Sequence, residues 1–303
     1  MLLSRIKAGK AYLNEDTTIS NPIDRFESIF RSADKPHFHY QPPDLTKVLV
    51  LTDSGDSGGG FLKRVQNFIA TGDLAQTPEF IELKLPVPGS RSAFLNSIET
   101  HSADLMVTHH HLFETFTDPS LGLGTYLESL LQSSPIPLMI VPHYLDPGFA
   151  PATEKLEDVL VISDHFSNSD ELINWSAAFV SNSGALWLTH VESEVDFERY
   201  MQAIARIPEI DTETARATLS TELLHESMSY IQNCKQQLAK TNPALAVELL
   251  ACMGQPLNTY RLWLSRDKHE LLVIPALAEE RFAHRALTGQ LATEFPHIAL
   301  LIV

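Results

Sequence analysis

The apolar run VLVLTDSGDS at 48–57 returns as VLVISDHFSNS at 159–169, 111 residues further along the chain. Each copy ends on an aspartate, Asp53 or Asp164, and passes into a polar loop. A continuous β-branched and leucine-rich run bounded in this way reads as a strand buried on both faces of a parallel sheet. Helical spacing follows both copies, through Phe61, Val65, Phe68 and Ile69 in the first and Leu172, Trp175 and Phe179 in the second. Further along, DLMVTH (104–109) is answered by ELLVIP (270–275), and PLMIV (137–141) by ALLIV (299–303). Strands alternating with helices across short loops require right-handed crossovers, which predicts an α/β fold of two doubly wound parallel-sheet domains.

The length of 303 residues, about twice a common domain, agrees with two such units and with a core in each. The second unit reads as five strands, at 159–163, 185–191, 244–251, 270–274 and 297–303, with helices at 168–183, 195–239 (broken near Pro208), 256–266 and 280–294. The first is shorter. After its helix at 59–71 it passes to EFIELKL (79–85) and a helix around Phe94–Ile98, so one strand and helix unit is missing. The expected boundaries are therefore a first domain over 44–144, a Pro- and Gly-rich linker over 145–155 and a second domain over 156–303. Residues 1–43, which include PIDRFESIF and PHFHYQPP, form an N-terminal extension expected to pack on the first domain, over the apolar surface that the missing unit leaves.

Composition narrows the partners. With 38 acidic against 22 basic residues and a formal charge of −16, the surface repels a phosphate backbone, and no nucleic acid partner is expected. The start, MLLSRIKAGKAYLNEDTT, lacks the apolar stretch of a signal peptide. No segment reaches the roughly 20 apolar residues of a membrane span. A cytoplasmic protein without a membrane partner is the expectation. Cys234 and Cys252 stand in no CxxC context and read as buried free thiols.

The candidate site lies at the C-terminal ends of the first unit's strands, where open α/β sheets bind ligands. There Asp53 and Ser54 follow one strand, while Thr108 and the consecutive His109, His110 and His111 follow another. Gly124 and Thr125 open the next helix, whose free N–H groups would favour an anion. The three histidines read either as a polar loop bonded to backbone and water or as imidazoles meeting an anion. Metal binding, with help from His101, His143 or Asp53, would need side chains to converge, and neighbours on an extended loop point in different directions. No metal is assigned. SGDSGGG (54–60) lacks the spacing of a dinucleotide-binding loop, and GxSxG, GxxxxGK[ST] and HExxH are all missing, so no catalytic residue is assigned either.

The opening of the second unit, DVLVISDHFSNSDELINWSAAFVSNSGALWLTHVE, resembles that of universal stress proteins, and the similarity extends over 44–144 and 156–303. The resemblance implies a tandem universal stress protein, with the adenine nucleotide α hydrolase-like fold in each half. ATP-binding members of that family carry GxxG, nine residues, then Gly and Ser or Thr after the fourth strand. Here His109 and Leu112 occupy the first two glycine positions, and only Gly124 and Thr125 match the close of the motif. In the second half Pro275 and Ala278 replace both glycines, and Gly289 is followed by Gln290. Added side chains hold a loop away from phosphates, and proline deletes a donor. The resemblance thus implies degenerate nucleotide sites and a regulatory or ligand-sensing stress-response module. No cofactor is expected, with ATP possible in the first domain, by Asp53 towards the nucleoside and Gly124–Thr125 towards phosphate. The alternatives are an ATP-binding protein with slow hydrolysis in that domain and an interaction scaffold. Family members pair through their last strands, and strands at 137–141 and 298–303 could do so within this chain, as an intrachain pseudo-dimer; a further homodimer is left open.

Overall fold

In a computed structural model the described residues are 38–53, 60–72, 74, 76–85, 90–110, 112–113, 122–134, 136–142, 156–163, 170–266, 269–276 and 282–303. The linker over 145–155 and nearly all of the N-terminal extension lie outside them.

Among the described residues nine strands hydrogen-bond into one sheet. They are β1 (Lys47–Asp53), β2 (Glu79–Leu85), β3 (Leu105–Thr108), β4 (Leu138–Ile140), β5 (Asp158–Ser163), β6 (Ala185–Ser193), β7 (Ala246–Gly254), β8 (Leu271–Ile274) and β9 (Ala299–Ile302). The order across the sheet is β2-β1-β3-β4-β9-β8-β5-β6-β7. Every neighbouring pair is parallel except β4 and β9, which meet antiparallel with Met139 opposite Leu301. The class is α/β with a mostly parallel, mixed sheet.

Among the described residues eight helices lie on the two faces: α1 (Gly60–Ile69), α2 (Arg91–Glu99), α3 (Thr125–Ser133), α4 (Asp170–Phe179), α5 (Glu194–Ile204), α6 (Thr212–Thr241), α7 (Pro256–Arg266) and α8 (Phe282–Glu294). Successive strand residues point to opposite faces, and both faces are covered. Val48 and Val50 join one core with Phe61 and Val65 of α1, Ile173 and Phe179 of α4, and Ile231 and Leu238 of α6. Leu49 and Leu51 join the other with Phe94 of α2, Leu127 of α3, Tyr260 of α7 and Leu291 of α8. The cores thus divide by face of the sheet, and each runs through both ends of the chain; the expectation of one core per half gives way to this. The cause is the β4–β9 pairing, which leaves no solvent gap between the halves. Across that junction the end of α1 reaches α4 so closely that a Cβ on Gly72 would stand 3.0 Å from the Ala178 carbonyl oxygen.

The breaks that Pro208 suggests are present as two helices, α5 and the 30-residue α6. Between them lies a small third core of Phe197, Met201 and Ala215. The bidentate ion pair of Arg216 with Glu198 ties them together, with its guanidinium 5.7 Å from the Phe197 ring centroid. Cys234 is fully buried on α6, and burial pushes its thiol up to about 12, so it stays a protonated core residue. Burial also raises the Cys252 thiol.

At their N-terminal ends, the paired strands are fastened alike at both ends of the sheet. Asp104 Oδ2, just before β3, accepts the Thr46 and Lys47 amides, each at 2.9 Å, and the Thr46 hydroxyl at 2.7 Å. Glu270 Oε2, just before β8, accepts the Glu157 amide at 2.9 Å and the Asp158 amide at 2.7 Å. The repeated D/E-L-x-V of the sequence is therefore also a repeated clamp.

Candidate functional site

Parallel pairing of β1 with β3, with Val50 opposite Val107, carries the chain ends after both strands to one edge of the sheet. Asp53 closes β1 there, half-buried, while Thr108 closes β3 fully buried and donates its hydroxyl to the Leu51 carbonyl at 3.1 Å. Ser54 and His111 fall outside the described residues.

His109 and His110 turn inward. Each is only 5% exposed. His109 Nδ1 lies 2.8 Å from the His110 carbonyl oxygen, and because a carbonyl only accepts, the Nδ1 hydrogen is the donor. The same ring stands edge-on to Phe61 of α1, with centroids 5.1 Å apart and planes at 81°. This ring is therefore fixed in place by a hydrogen bond and an aromatic contact.

The loop after the histidines is anchored in the core. Leu112 is 1% exposed and belongs to the core under α2 and α3. Phe113 takes a left-handed backbone, φ 66°, which costs a residue with a side chain about 1–2 kcal/mol. Aromatic packing offsets that cost. Phe113, Phe94 of α2 and Tyr126 of α3 meet edge to face in all three pairings, with centroids 5.1 to 5.7 Å apart.

Gly124 caps α3 with φ 93° and ψ 153°, a conformation that a Cβ would oppose, and offers no side-chain bond to the first turn. The exposed Thr125 follows. Glu128 lies in that turn, and its Oε1 would be 3.9 Å from a Cβ placed on Gly122. Its carboxylate therefore already faces the positive pole of the helix, where an incoming anion would be placed.

At the other end of the sheet the equivalent stretch is built differently. After β8, Pro275 contributes no N–H, and the Ala276 amide is used by the Val303 carbonyl. Gly289 lies in the interior of α8, eight residues in, so it does not cap a helix as Gly124 does. Asp164, His165 and Ala278 are outside the described residues.

The sheet edge thus brings Asp53, Thr108, His109 and His110 to the ends of adjacent strands and sets Gly124–Thr125 at the start of α3, which spans 125–133. The aromatic trio and Glu128 were not anticipated. Tyr126 beside Gly124 was the available signal, since an aromatic residue in a first turn needs a partner. Among the described residues no group of three or more His, Cys, Asp or Glu is arranged to hold a metal ion. None of the described helices is long and apolar enough to cross a membrane.

No protein-family model matches the chain, and no curated protein matches it. Solved structures of similar fold do exist. One is a protein of unknown function from Pseudomonas aeruginosa, 12% identical, with 86% of this chain and 93% of that chain covered at a TM-score of 0.47. Another is a universal stress protein from Archaeoglobus fulgidus, also 12% identical, with 84% and 95% covered at a TM-score of 0.46. The strand order itself, and not these distant similarities, carries the fold class.

Proposed function

We infer that the chain is a tandem module of the universal stress protein type that senses or relays a signal without turning over nucleotide. The related halves are joined through β4 and β9, and the phosphate position of the first half is occupied by the protein's own side chains. The burial of Leu112 carries this reading. A phosphate-binding loop presents its backbone N–H groups to the ligand, and that approach needs glycine. Here the loop turns its side chains into the core, as Leu112, Phe113 and the His109 ring illustrate. Glu128 adds a negative charge at the helix start. ATP does not fit this arrangement well, and no chemical step is assigned to it.

One observation favours the second reading, ATP bound in the first half with slow hydrolysis. Gly124 leaves the first turn of α3 without a side-chain cap, and Thr125 beside it is exposed. Thermal unfolding with millimolar ATP separates the two. A ligand at a hundred times its Kd stabilises the folded state by about 2.7 kcal/mol. The sensing module should melt at the same temperature with and without ATP. An upward shift that Thr125→Trp removes would establish the second reading instead.

A further inference from the structure

The sheet ends in two strands of opposite character. Among the described residues β2 and β7 each have one strand neighbour, β1 and β6. β2, EFIELKL, carries Glu79, Glu82 and Lys84, and Lys84 Nζ lies 3.5 Å from Glu82 Oε1. Charges on an edge strand, lysine above all, oppose its pairing with another chain. β7, AVELLACMG, has nine residues against the seven of β2, with no lysine, no proline and one charge, at Glu248. It is also firmly held. All nine residues pair with β6, Leu249 and Ala251 pack on one core, Cys252 on the other, and Met253 on the small core of Phe197 and Met201. Yet every residue from Leu249 to Met253 keeps part of its surface exposed, whereas Val48 to Leu51 of the inner strand β1 are fully buried. The result is an apolar edge already ordered for pairing, which lowers the cost of binding.

We propose that β7 is a self-association edge, on which the β7 of a second copy docks antiparallel and continues the sheet through both molecules. The charge pattern selects a second copy as the occupant. The antiparallel register that uses all nine residues sets Leu250 opposite itself, Leu249 opposite Ala251 and Glu248 opposite Cys252, so no like charges face each other. The same operation on β2 would set Glu82 against Glu82, which is unfavourable. A strand that meets its own pattern across a two-fold axis closes at a dimer. The molecule already contains a joint of this kind. β4 and β9, the last strands of the two halves, are wholly apolar and meet antiparallel with Leu138 opposite Ile302. β7 presents the same composition at the outer margin. The formal charge of −16 on each chain opposes the approach of a second copy, and salt screens that repulsion while leaving the apolar contact in place.

Sedimentation equilibrium on the full chain tests this. The wild type should dimerise, and its dimer affinity should rise about threefold or more between about 0.05 and 0.5 M NaCl. Leu250→Lys sets two ammonium groups against each other at the axis and should weaken the dimer about tenfold or more. Ile81→Lys on β2 should leave it unchanged. Cross-linking supplies a readout that does not depend on how the lysine variant folds. With Leu250→Cys in a Cys252→Ala background, the two Cα atoms should lie about 4.5–5.5 Å apart across the axis, within reach of a disulfide. Mild oxidation should then lock the dimer, while Leu262→Cys on α7 in the same background should remain unlinked. A wild type that stays monomeric at about 100 μM in high salt would overturn the proposal, even with β7 amides protected from exchange, because another segment of the same chain would then hold the edge. So would a dimer that Leu250→Lys does not weaken and Leu250→Cys does not lock, since its interface would lie elsewhere.

Discussion

The two ends of the sheet agree at one edge and differ at the other. At the N-terminal edge Asp104 and Glu270 occupy equivalent places and each collects two backbone amides from the adjoining strand. At the C-terminal edge the first half carries a buried Leu112, a left-handed Phe113 and a capping Gly124. The second carries Pro275 and a glycine inside a helix. The N-terminal clamps serve strand pairing, so any working sheet of this topology benefits from them. Ligand binding makes its demands at the other edge, and there the halves have diverged in shape as well as in sequence.

The junction between the halves offers the largest test. Leu301 is fully buried opposite Met139, where the one antiparallel pair among the described residues joins the two strand sets. Leu301→Asp places an unpaired charge in both halves' shared interior and should cost about 3–5 kcal/mol or unfold the chain. Because each core runs through both halves, the wild type should lose the signals of both halves in one transition in urea; two separate transitions would show that the halves are independent. A smaller effect separates the two C-terminal edges. Leu112→Ala should destabilise by about 2–5 kcal/mol, read as a lowered denaturation midpoint, because it opens a cavity in the core. Pro275→Ala, at the partly buried position equivalent to His109, should stay within about 1 kcal/mol. Equal losses would mean that the first loop is no better anchored than the second.

Much of the fold was legible because strands buried on both faces must be apolar throughout. VLVL and VLVI announce β1 and β5, and DLMV and ELLV announce β3 and β8. The terminal runs around 137–141 and 299–303 marked which edges would be apolar, but apolarity carries no direction, so the antiparallel sense came only from the structure. For the candidate site, strand ends fixed Asp53, Thr108, His109 and His110. The loop was not legible, since Phe113 adopts a backbone that its residue type disfavours and does so for the sake of Phe94, distant in sequence. Gly289 falls inside α8, as it does in the helix expected over 280–294. One glycine costs a helix only about 1 kcal/mol, which the packing of Leu291 and Ala292 beside it can offset, so it marks no boundary.

The two clamps should respond oppositely to pH, and this sharpens the comparison at the edge where the halves agree. Burial pushes the Asp104 carboxyl up, but the Thr46 hydroxyl and amide, the Lys47 amide and the Lys47 charge outweigh it and hold the group below its ordinary value. Its contribution is therefore present at neutral pH and is lost as pH falls through that lowered value. Asp104→Asn should cost about 1 kcal/mol at pH 7, a modest figure because the site is near solvent, and nothing in strong acid.

For Glu270 burial is again the largest influence and raises the carboxyl. The Asp158 and Glu157 amides pull it back, but the charges of Asp158 and Glu157 push it up again, and the net direction is upward. A raised carboxyl favours the folded state while protonated, and that advantage disappears as pH rises through its folded value. Gln resembles the protonated form and keeps an oxygen for the two amides. Glu270→Gln should therefore match the wild type near pH 4 and be the more stable of the two at pH 7, by about 0.5 kcal/mol. Urea midpoints measured at both pH values check the sign. If the Gln variant were less stable at pH 7, the Glu270 charge would be stabilising in the manner of Asp104, and the two clamps would share their electrostatics as well as their geometry.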